Sequence, residues 1–221
     1  MKNFIRMMVV SVVMMVLFAC AVNTAQTTPQ KANSAVAAGA SSNPTVSSES
    51  IDTSIPPGDV KKHTLAGKYV NAWQANEMWK ANPDKVKIVD CRTQEEYTFV
   101  GHASMAYNIP SKLWTGKWIP EKKNYDLADN PDFESYAKMK FDLNDPIMVM
   151  CRSGHRSAAS VDRLTKAGFT NVYNITDGFE GDKINDAESY FNGKRMKNGW
   201  KNSGAAWTND LETHLVYLPE K

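Results

Sequence analysis

The chain has 221 residues, of which 42% are hydrophobic, and its 26 basic and 24 acidic side chains leave a formal charge of +2. This length allows one or two domains, and the near balance of charge, with basic residues scattered along the chain, argues against nucleic-acid binding. Three cysteines are too few for a disulfide framework.

Residues 1–20 have the pattern of a bacterial export signal. A short basic start precedes an apolar run over residues 7–19, which is too short to span a membrane comfortably, since a span needs about 20 residues. Residues 17–20, Leu-Phe-Ala-Cys, resemble a lipobox, in which Cys20 is acylated and becomes the mature N-terminus. We therefore expect an exported protein of the periplasm or cell envelope, held to the membrane only by a lipid on Cys20.

Residues 21–65 are predicted to be a disordered linker. The segment is rich in Ala, Ser, Thr, Asn and Gln and has almost no aliphatic periodicity, so it cannot bury enough surface to offset the entropy of ordering it. Its start depends on processing, because cleavage by ordinary signal peptidase after Ala21 or Ala25 is the alternative to lipidation.

Residues 66–210 alternate between predicted strands and helices, and residues 211–221 form a predicted C-terminal tail. In chain order we expect an extended start at 70–72 leading into a helix, a strand at 87–90, a helix at 94–100, a strand at 106–109, a helix at 133–140, a strand at 147–150, a helix at 157–167 and a strand at 172–174. This alternation predicts an α/β fold: a small parallel sheet with helices on both faces.

Cys151 follows the strand at 147–150 and opens a short basic loop that leads into the next helix. A helix N-terminus presents unsatisfied N–H groups and favours negative charge, which here would stabilise a thiolate, the reactive form of cysteine. A buried structural cysteine is the simpler alternative, but two arginines, a glycine and a serine within six residues argue against it. We expect Cys151 to be a nucleophile at the carboxyl end of its strand, with an anionic substrate bound by Arg152, Ser153, Gly154, His155, Arg156 and Ser157.

The loop and several other segments together resemble the rhodanese family of sulfurtransferases over roughly residues 67–207. The matching segments are Ile88-Val89-Asp90-Cys91-Arg92 with Glu95-Glu96-Tyr97, Gly101-His102 with Tyr107-Asn108-Ile109-Pro110, the loop from Cys151 to Arg156, and Asn171-Val172-Tyr173 with Asp177-Gly178-Phe179. The chain departs from the family pattern at Cys91, where an aliphatic residue is usual, at residues 103–105, and in the long segment 112–145.

The resemblance implies a rhodanese-like domain that moves sulfane sulfur through a persulfide on Cys151, without a cofactor. A thiosulfate-like anion would be the donor and cyanide or a thiol the acceptor. The resemblance also implies that Asp90 and Arg92 support the loop and that His102 has a structural role. The histidines and cysteines show no ligand spacing, so no metal site is expected.

Two other functions use the same cysteine. Phosphatases of the Cys-x5-Arg type attack with a loop thiolate, but here only four residues separate Cys151 from Arg156, which suits sulfur better than a phosphoryl group. Alternatively, the domain is a non-catalytic sulfur carrier or redox module for an envelope protein, an interpretation that the segment 112–145 motivates.

Cys91 also has two interpretations. The simpler one is a small hydrophobic residue in the core. The other is a disulfide partner or resolving thiol for Cys151, because both cysteines are predicted to lie near the ends of central strands.

Overall fold

The computed structural model describes residues 51–219. The predicted signal segment, the lipidation site Cys20 and the linker up to residue 50 lie outside the described residues. Within residues 51–219, no helix has the length and apolar character needed to cross a membrane.

A five-stranded parallel sheet with the order β1-β8-β7-β2-β4 forms the centre of the domain. In chain order, the strands of the described region are β1 (Tyr69–Val70), β2 (Lys87–Asp90), β3 (His102–Ala103), β4 (Tyr107–Asn108), β5 (Lys112–Ile119), β6 (Asn124–Asp129), β7 (Ile147–Met150), β8 (Val172–Ile175) and β9 (Trp207–Thr208). The helices are α1 (Ala72–Ala81), α2 (Gln94–Val100), α3 (Phe133–Lys140) and α4 (His155–Lys166), with 3-10 turns at Val60–Lys62, Pro120–Lys122 and Trp200–Asn202.

Both faces of the sheet are buried, as expected for parallel strands. Val89 and Val149 belong to one core, which includes residues of α3 and α4 such as Leu164. Ile88 and Met148, on the opposite face, belong to a second core, which includes residues of α1. The predicted α/β class and the parallel sheet with helices on both faces are confirmed.

Elements with strong local signals have the predicted bounds. This holds for β2, α2, α3 and β7. Helix α2 begins where Thr93 and Glu96 form a capping box, each side chain accepting a hydrogen bond from the other residue's backbone N–H. Helix α4 begins two residues before the predicted start, because Gly154 in a left-handed conformation (φ 94°) is its N-cap.

The segment 112–145 contains an antiparallel hairpin that the sequence prediction left without strands. Strands β5 and β6 pair outside the main sheet, and the exposed Tyr125 ring packs against Trp114 and against Trp118. Its base is anchored by Arg163 of α4, which donates to the carbonyl oxygens on either side of the hairpin, at residues 111 and 130. Such a ribbon buries neither face, so it lacks the clear apolar alternation of a half-buried strand.

Residues 51–65, the last part of the predicted linker, pack onto the α/β domain. The backbone N–H of Tyr69 donates to the Thr53 carbonyl (2.7 Å), and the Asn174 side chain donates to the Lys62 carbonyl (3.0 Å). Leu65 donates its N–H to the Asp162 side chain (2.7 Å). These contacts are polar and join residues far apart in the chain, so apolar periodicity could not reveal them.

Residues 211–219 of the predicted tail also contact the core. Leu215 and Tyr217 are buried, and the Leu215 carbonyl accepts a hydrogen bond from the N–H of Asn108 in the edge strand β4 (2.7 Å). The Tyr217 ring packs edge-on against Tyr136 of α3, with 4.7 Å between ring centroids. The end of the described region therefore covers one edge of the sheet.

Replacing Tyr217 should destabilise the domain if this segment belongs to the core. For Tyr217→Ala we expect a loss of about 3 kcal/mol in the free energy of unfolding, measured by urea denaturation, because a large ring leaves a cavity. Leu218→Ala is the matched control: Leu218 is 57% exposed, so its loss should stay under about 0.5 kcal/mol. Equal effects of the two substitutions would show that the segment is not part of the core.

Candidate active site

The thiol of Cys151 lies at the junction of β7 and α4 and is almost fully buried. The backbone N–H of Gly154 donates to the sulfur at 3.2 Å. Ser157 Oγ lies 3.5 Å from the same sulfur and donates to Asn174 Oδ1 at 2.7 Å. The sulfur thus faces the N-terminal turn of a twelve-residue helix, where partial positive charge favours an anion.

Two glycines set the path of the backbone around the sulfur. Gly154 has φ 94°, and a Cβ added there would collide with the carbonyl oxygen of Thr176. Gly178 has φ 63°, and a Cβ there would collide with the Cys151 carbonyl oxygen. The Phe179 N–H donates to that same carbonyl at 2.7 Å. The turn after β8 is therefore packed directly against the loop, and no larger residue fits at either glycine.

Asp90 and Arg92 form a fully buried ion pair that supports this turn. Arg92 donates to both carboxylate oxygens, Nε to Oδ1 at 2.9 Å and Nη2 to Oδ2 at 2.6 Å, and also to the Gly101 carbonyl at 2.7 Å. Its guanidinium lies 4.2 Å from the centre of the Phe179 ring. Burial opposes the charge of Arg92, but the nearby carboxylates, Asp90 above all, together outweigh it and raise the pKa of the guanidinium. These contacts join the pair to the turn that holds the Cys151 carbonyl, and its supporting role stays a prediction.

Arg156 is held by Glu96 of α2 in a two-pronged ion pair. Nη1 and Nη2 donate to the two carboxylate oxygens, both at 2.6 Å. Burial opposes both charges, yet the pairing outweighs it, so the pKa of Arg156 is raised and that of Glu96 is lowered. The predicted substrate-binding role of Arg156 is therefore constrained, because Glu96 holds its two terminal nitrogens in one orientation.

Arg152 and His155 lie at the rim of the loop. The Arg152 side chain is exposed and makes no ion pair within residues 51–219. Its carbonyl accepts hydrogen bonds from the N–H groups of Glu180 (2.9 Å) and Gly181 (3.2 Å), which fix the backbone there. His155 Nε2 lies 2.7 Å from Asp59 Oδ2, and both side chains are about half exposed. Arg152 is thus an exposed cationic side chain directly after Cys151, while Ser153 beside it is buried in the loop.

Three contributors to the site were not assigned a role from the sequence: Glu96, Asn174 and Asp59. Glu96 lies in one of the segments that carry the family resemblance, but nothing local indicates that it reaches Arg156. Asn174 was detectable as a polar residue inside an otherwise apolar strand, and it is fully buried against Ser157. Asp59 lies in the predicted linker and carried no signal.

The other candidates are buried away from the loop surface. Cys91 is fully buried as a free thiol in the core, as the simpler prediction had it. The His102 ring stacks on Tyr97 at 3.6 Å, and its Nδ1 lies 3.0 Å from the Tyr97 carbonyl oxygen, contacts that fit a structural role. In the described part of the chain, no cluster of three His, Cys, Asp or Glu residues could hold a metal ion.

Comparisons with known proteins point to one family. A family model described as Rhodanese-like domain matches residues 71–184. An uncharacterized protein of Rickettsia rickettsii (RP600 homolog) is 32% identical over 124 residues, covering 56% of this chain and 84% of the relative. Thiosulfate sulfurtransferase 16, chloroplastic, of Arabidopsis thaliana is 34% identical over 93 residues, covering 42% and 70%. The crystal structure of Rv0390 from M. tuberculosis matches with a TM-score of 0.51 and 28% identity, covering 64% of this chain and 97% of that one.

The Glu96–Arg156 pair predicts acid sensitivity. The pKa of Glu96 is lower in the folded chain than in the unfolded one, where it is about 4.3. Ionised Glu96 therefore adds stability above that pH, and the contribution is lost as the pH falls through the folded pKa. We expect Glu96→Gln to lower the free energy of unfolding at about pH 7 and to reduce its further loss as the pH falls from about 5 to about 3.

Urea denaturation across this pH range measures the effect. Glu95→Gln is the control, because Glu95 is exposed and makes no ion pair within residues 51–219. It should keep the pH dependence of the unmodified chain. If Glu96→Gln kept it as well, the pair would make no contribution.

Proposed function

The chain belongs to the rhodanese-like domain family, and we propose that it is a sulfurtransferase that carries sulfane sulfur as a persulfide on Cys151. The observation that carries this proposal is the placement of the Cys151 sulfur at the start of α4, where the Gly154 N–H points at it from 3.2 Å. A negative charge on this sulfur, or on a second sulfur attached to it, would be stabilised there.

In the first step, the Cys151 thiolate attacks the outer sulfur of a thiosulfate-like donor. The donor's S–S bond breaks, sulfite leaves with the electron pair, and a persulfide remains on Cys151. Arg152 follows Cys151 directly, is exposed and makes no ion pair within residues 51–219, so we assign it the donor's oxygens. Arg156 supplies fixed positive charge from its pair with Glu96 instead of a direct contact. This is nucleophilic catalysis aided by preorganised donors.

In the second step, an acceptor thiolate or cyanide attacks the outer sulfur of the persulfide. The S–S bond breaks, the Cys151 thiolate is restored, and the acceptor leaves as a persulfide or as thiocyanate. The loop binds the two substrates in turn, which gives ping-pong kinetics. The names of relatives such as the Arabidopsis thiosulfate sulfurtransferase support the donor class.

A sulfur-carrier role is the second candidate, and the hairpin β5–β6 favours it. The hairpin begins at Lys112, directly after Ser111, whose N–H donates to the Cys91 carbonyl at the carboxyl end of β2. The hairpin therefore starts on the side of the sheet where the strands have their carboxyl ends, as Cys151 does. It presents Trp114, Trp118 and Tyr125 to solvent. An envelope protein could contact these rings while it exchanges sulfur with Cys151.

We expect the purified chain to gain about 32 Da on incubation with thiosulfate, and Cys151→Ser to gain nothing. Intact-mass measurement tests this, with thiocyanate formation from thiosulfate and cyanide as the activity assay. Rapid turnover supports the enzyme, whereas a stable adduct with negligible turnover supports the carrier. Hydrolysis of an aryl phosphate without any adduct would instead indicate a phosphatase and overturn the proposal.

We also propose that the chain is exported to the cell envelope and lipidated on Cys20. The support is the basic start, the apolar run and the Leu-Phe-Ala-Cys sequence at 17–20. In a bacterial host, labelled palmitate should enter the wild-type chain, and Cys20→Ala should abolish the labelling and release the protein from the membrane fraction. A soluble, unlabelled wild-type protein cleaved after Ala21 or Ala25 would contradict lipidation while leaving export in place.

A further inference from the structure

Cys91 and Cys151 lie side by side at the ends of neighbouring parallel strands. Strands β2 and β7 pair in register up to Asp90 and Met150, and the N–H of Cys91 donates to the Met150 carbonyl at 2.9 Å. The hydrogen bonding between the two strands therefore continues one residue beyond β2, to Cys91. Neighbouring strands lie about 4.8 Å apart, and the Cα atoms of a disulfide lie about 4.4–6.8 Å apart.

The two thiols also face the same side of the sheet. Side chains alternate between the faces of a strand, so Cys91 shares the face of Val89, and Cys151 shares that of Val149. All four belong to the same buried core beneath α4. Cys91 is completely buried and Cys151 is 2% exposed, so external reactants do not reach Cys91 directly. The neighbour with which Cys91 can react is Cys151.

The surroundings of Cys91 make its thiol a slow nucleophile but do not prevent it from reacting. Burial raises the pKa of Cys91, and negative charge at Cys151 raises it further, so it remains protonated near neutral pH. A hydrogen bond with Ser160 and the positive charge of Arg156 act in the opposite direction. A free acceptor thiolate would therefore compete well against Cys91, which would react when no acceptor arrives.

We propose that Cys91 is a resolving thiol that converts the Cys151 persulfide into a Cys91–Cys151 disulfide and releases hydrogen sulfide. The inference rests on the proposed persulfide chemistry. The Cys91 sulfur attacks the inner sulfur of the persulfide, the bond between inner and outer sulfur breaks, and the outer sulfur leaves with the electron pair and takes up the Cys91 proton.

Atoms and electrons balance without an external oxidant. The two cysteine thiols are oxidised to a disulfide, and the sulfane sulfur is reduced to sulfide. The disulfide blocks Cys151, and a dithiol reductant returns the site to its reduced form by exchange. With a donor but no acceptor, the chain should thus release one sulfide and stop.

The test uses the full-length chain after reaction with thiosulfate, desalted and kept without acceptor. We expect the adduct of about 32 Da to decay to a species about 2 Da lighter than the reduced chain, with one sulfide released per chain. Peptide mapping without reductant should identify a Cys91–Cys151 cross-link. In Cys91→Ala the adduct should last at least about tenfold longer, without sulfide release.

Val89→Ala is the matched control, because it removes core volume on the same strand and face but keeps both thiols. It should still form the cross-link. Cys20→Ala excludes disulfides with the third cysteine. If Cys91→Ala fails to fold, the cross-linked peptide of the unmodified chain still decides the question.

The outcomes separate this inference from the proposed function. An adduct that persists on Cys151 with no cross-link would overturn the resolving role and leave the sulfurtransferase intact. A cross-link from Cys151 to Cys20 would overturn it as well. If no adduct formed in either the unmodified chain or Cys91→Ala, the sulfurtransferase proposal would fail and the resolving step with it.

Discussion

The buried ion pair between Asp90 and Arg92 connects the sheet to the turn after β8, which holds the Cys151 carbonyl. Asp90 ends β2, Arg92 reaches the Gly101 carbonyl and covers the Phe179 ring, and the Phe179 N–H holds the Cys151 carbonyl. Removing one member of such a pair leaves an uncompensated buried charge, at a cost of about 3–5 kcal/mol. The position of Cys151 therefore depends on a buried charge pair that does not contact the substrate in the proposed mechanism.

The shape of the loop and its charge have separate origins. Shape comes from backbone contacts, since Gly154 and Gly178 let the loop and the turn after β8 approach more closely than any side chain allows. Positive charge comes from the amides at the start of α4, from the exposed Arg152, and from Arg156, whose charge Glu96 holds in place and partly offsets. An anion bound at the loop would thus meet the exposed Arg152 and the Gly154 N–H, which the backbone holds in place.

Local signals explain which parts of this arrangement could be predicted from the sequence. Strands β2 and β7 are apolar runs between turn residues, and α2 begins with a capping box, so their bounds followed from neighbouring residues. The residues of the loop could be predicted in the same way, because they are neighbours in the sequence. Glu96 and Asp59 lie 60 and 96 residues from their loop partners, and such pairings arise only when the chain folds. The structure of the hairpin β5–β6 and of the segments 51–65 and 211–219 was not predicted for a related reason. Polar and long-range contacts position much of these segments.

Because Cys151 is buried, the two sulfur atoms of the proposed persulfide are open to different reactants. Adding a sulfur extends the side chain by about 2 Å, the length of an S–S bond. The loop shields the inner sulfur, since the Cys151 residue is 2% exposed before the addition, so an acceptor from solvent must attack the outer sulfur. Cys91 lies on the core side, next to the inner sulfur, and attacks from there. Sulfur transfer to an acceptor and sulfide release by Cys91 therefore use opposite sides of the persulfide. The competition between these two reactions depends on how readily an acceptor passes Arg152 and the His155–Asp59 contact at the rim.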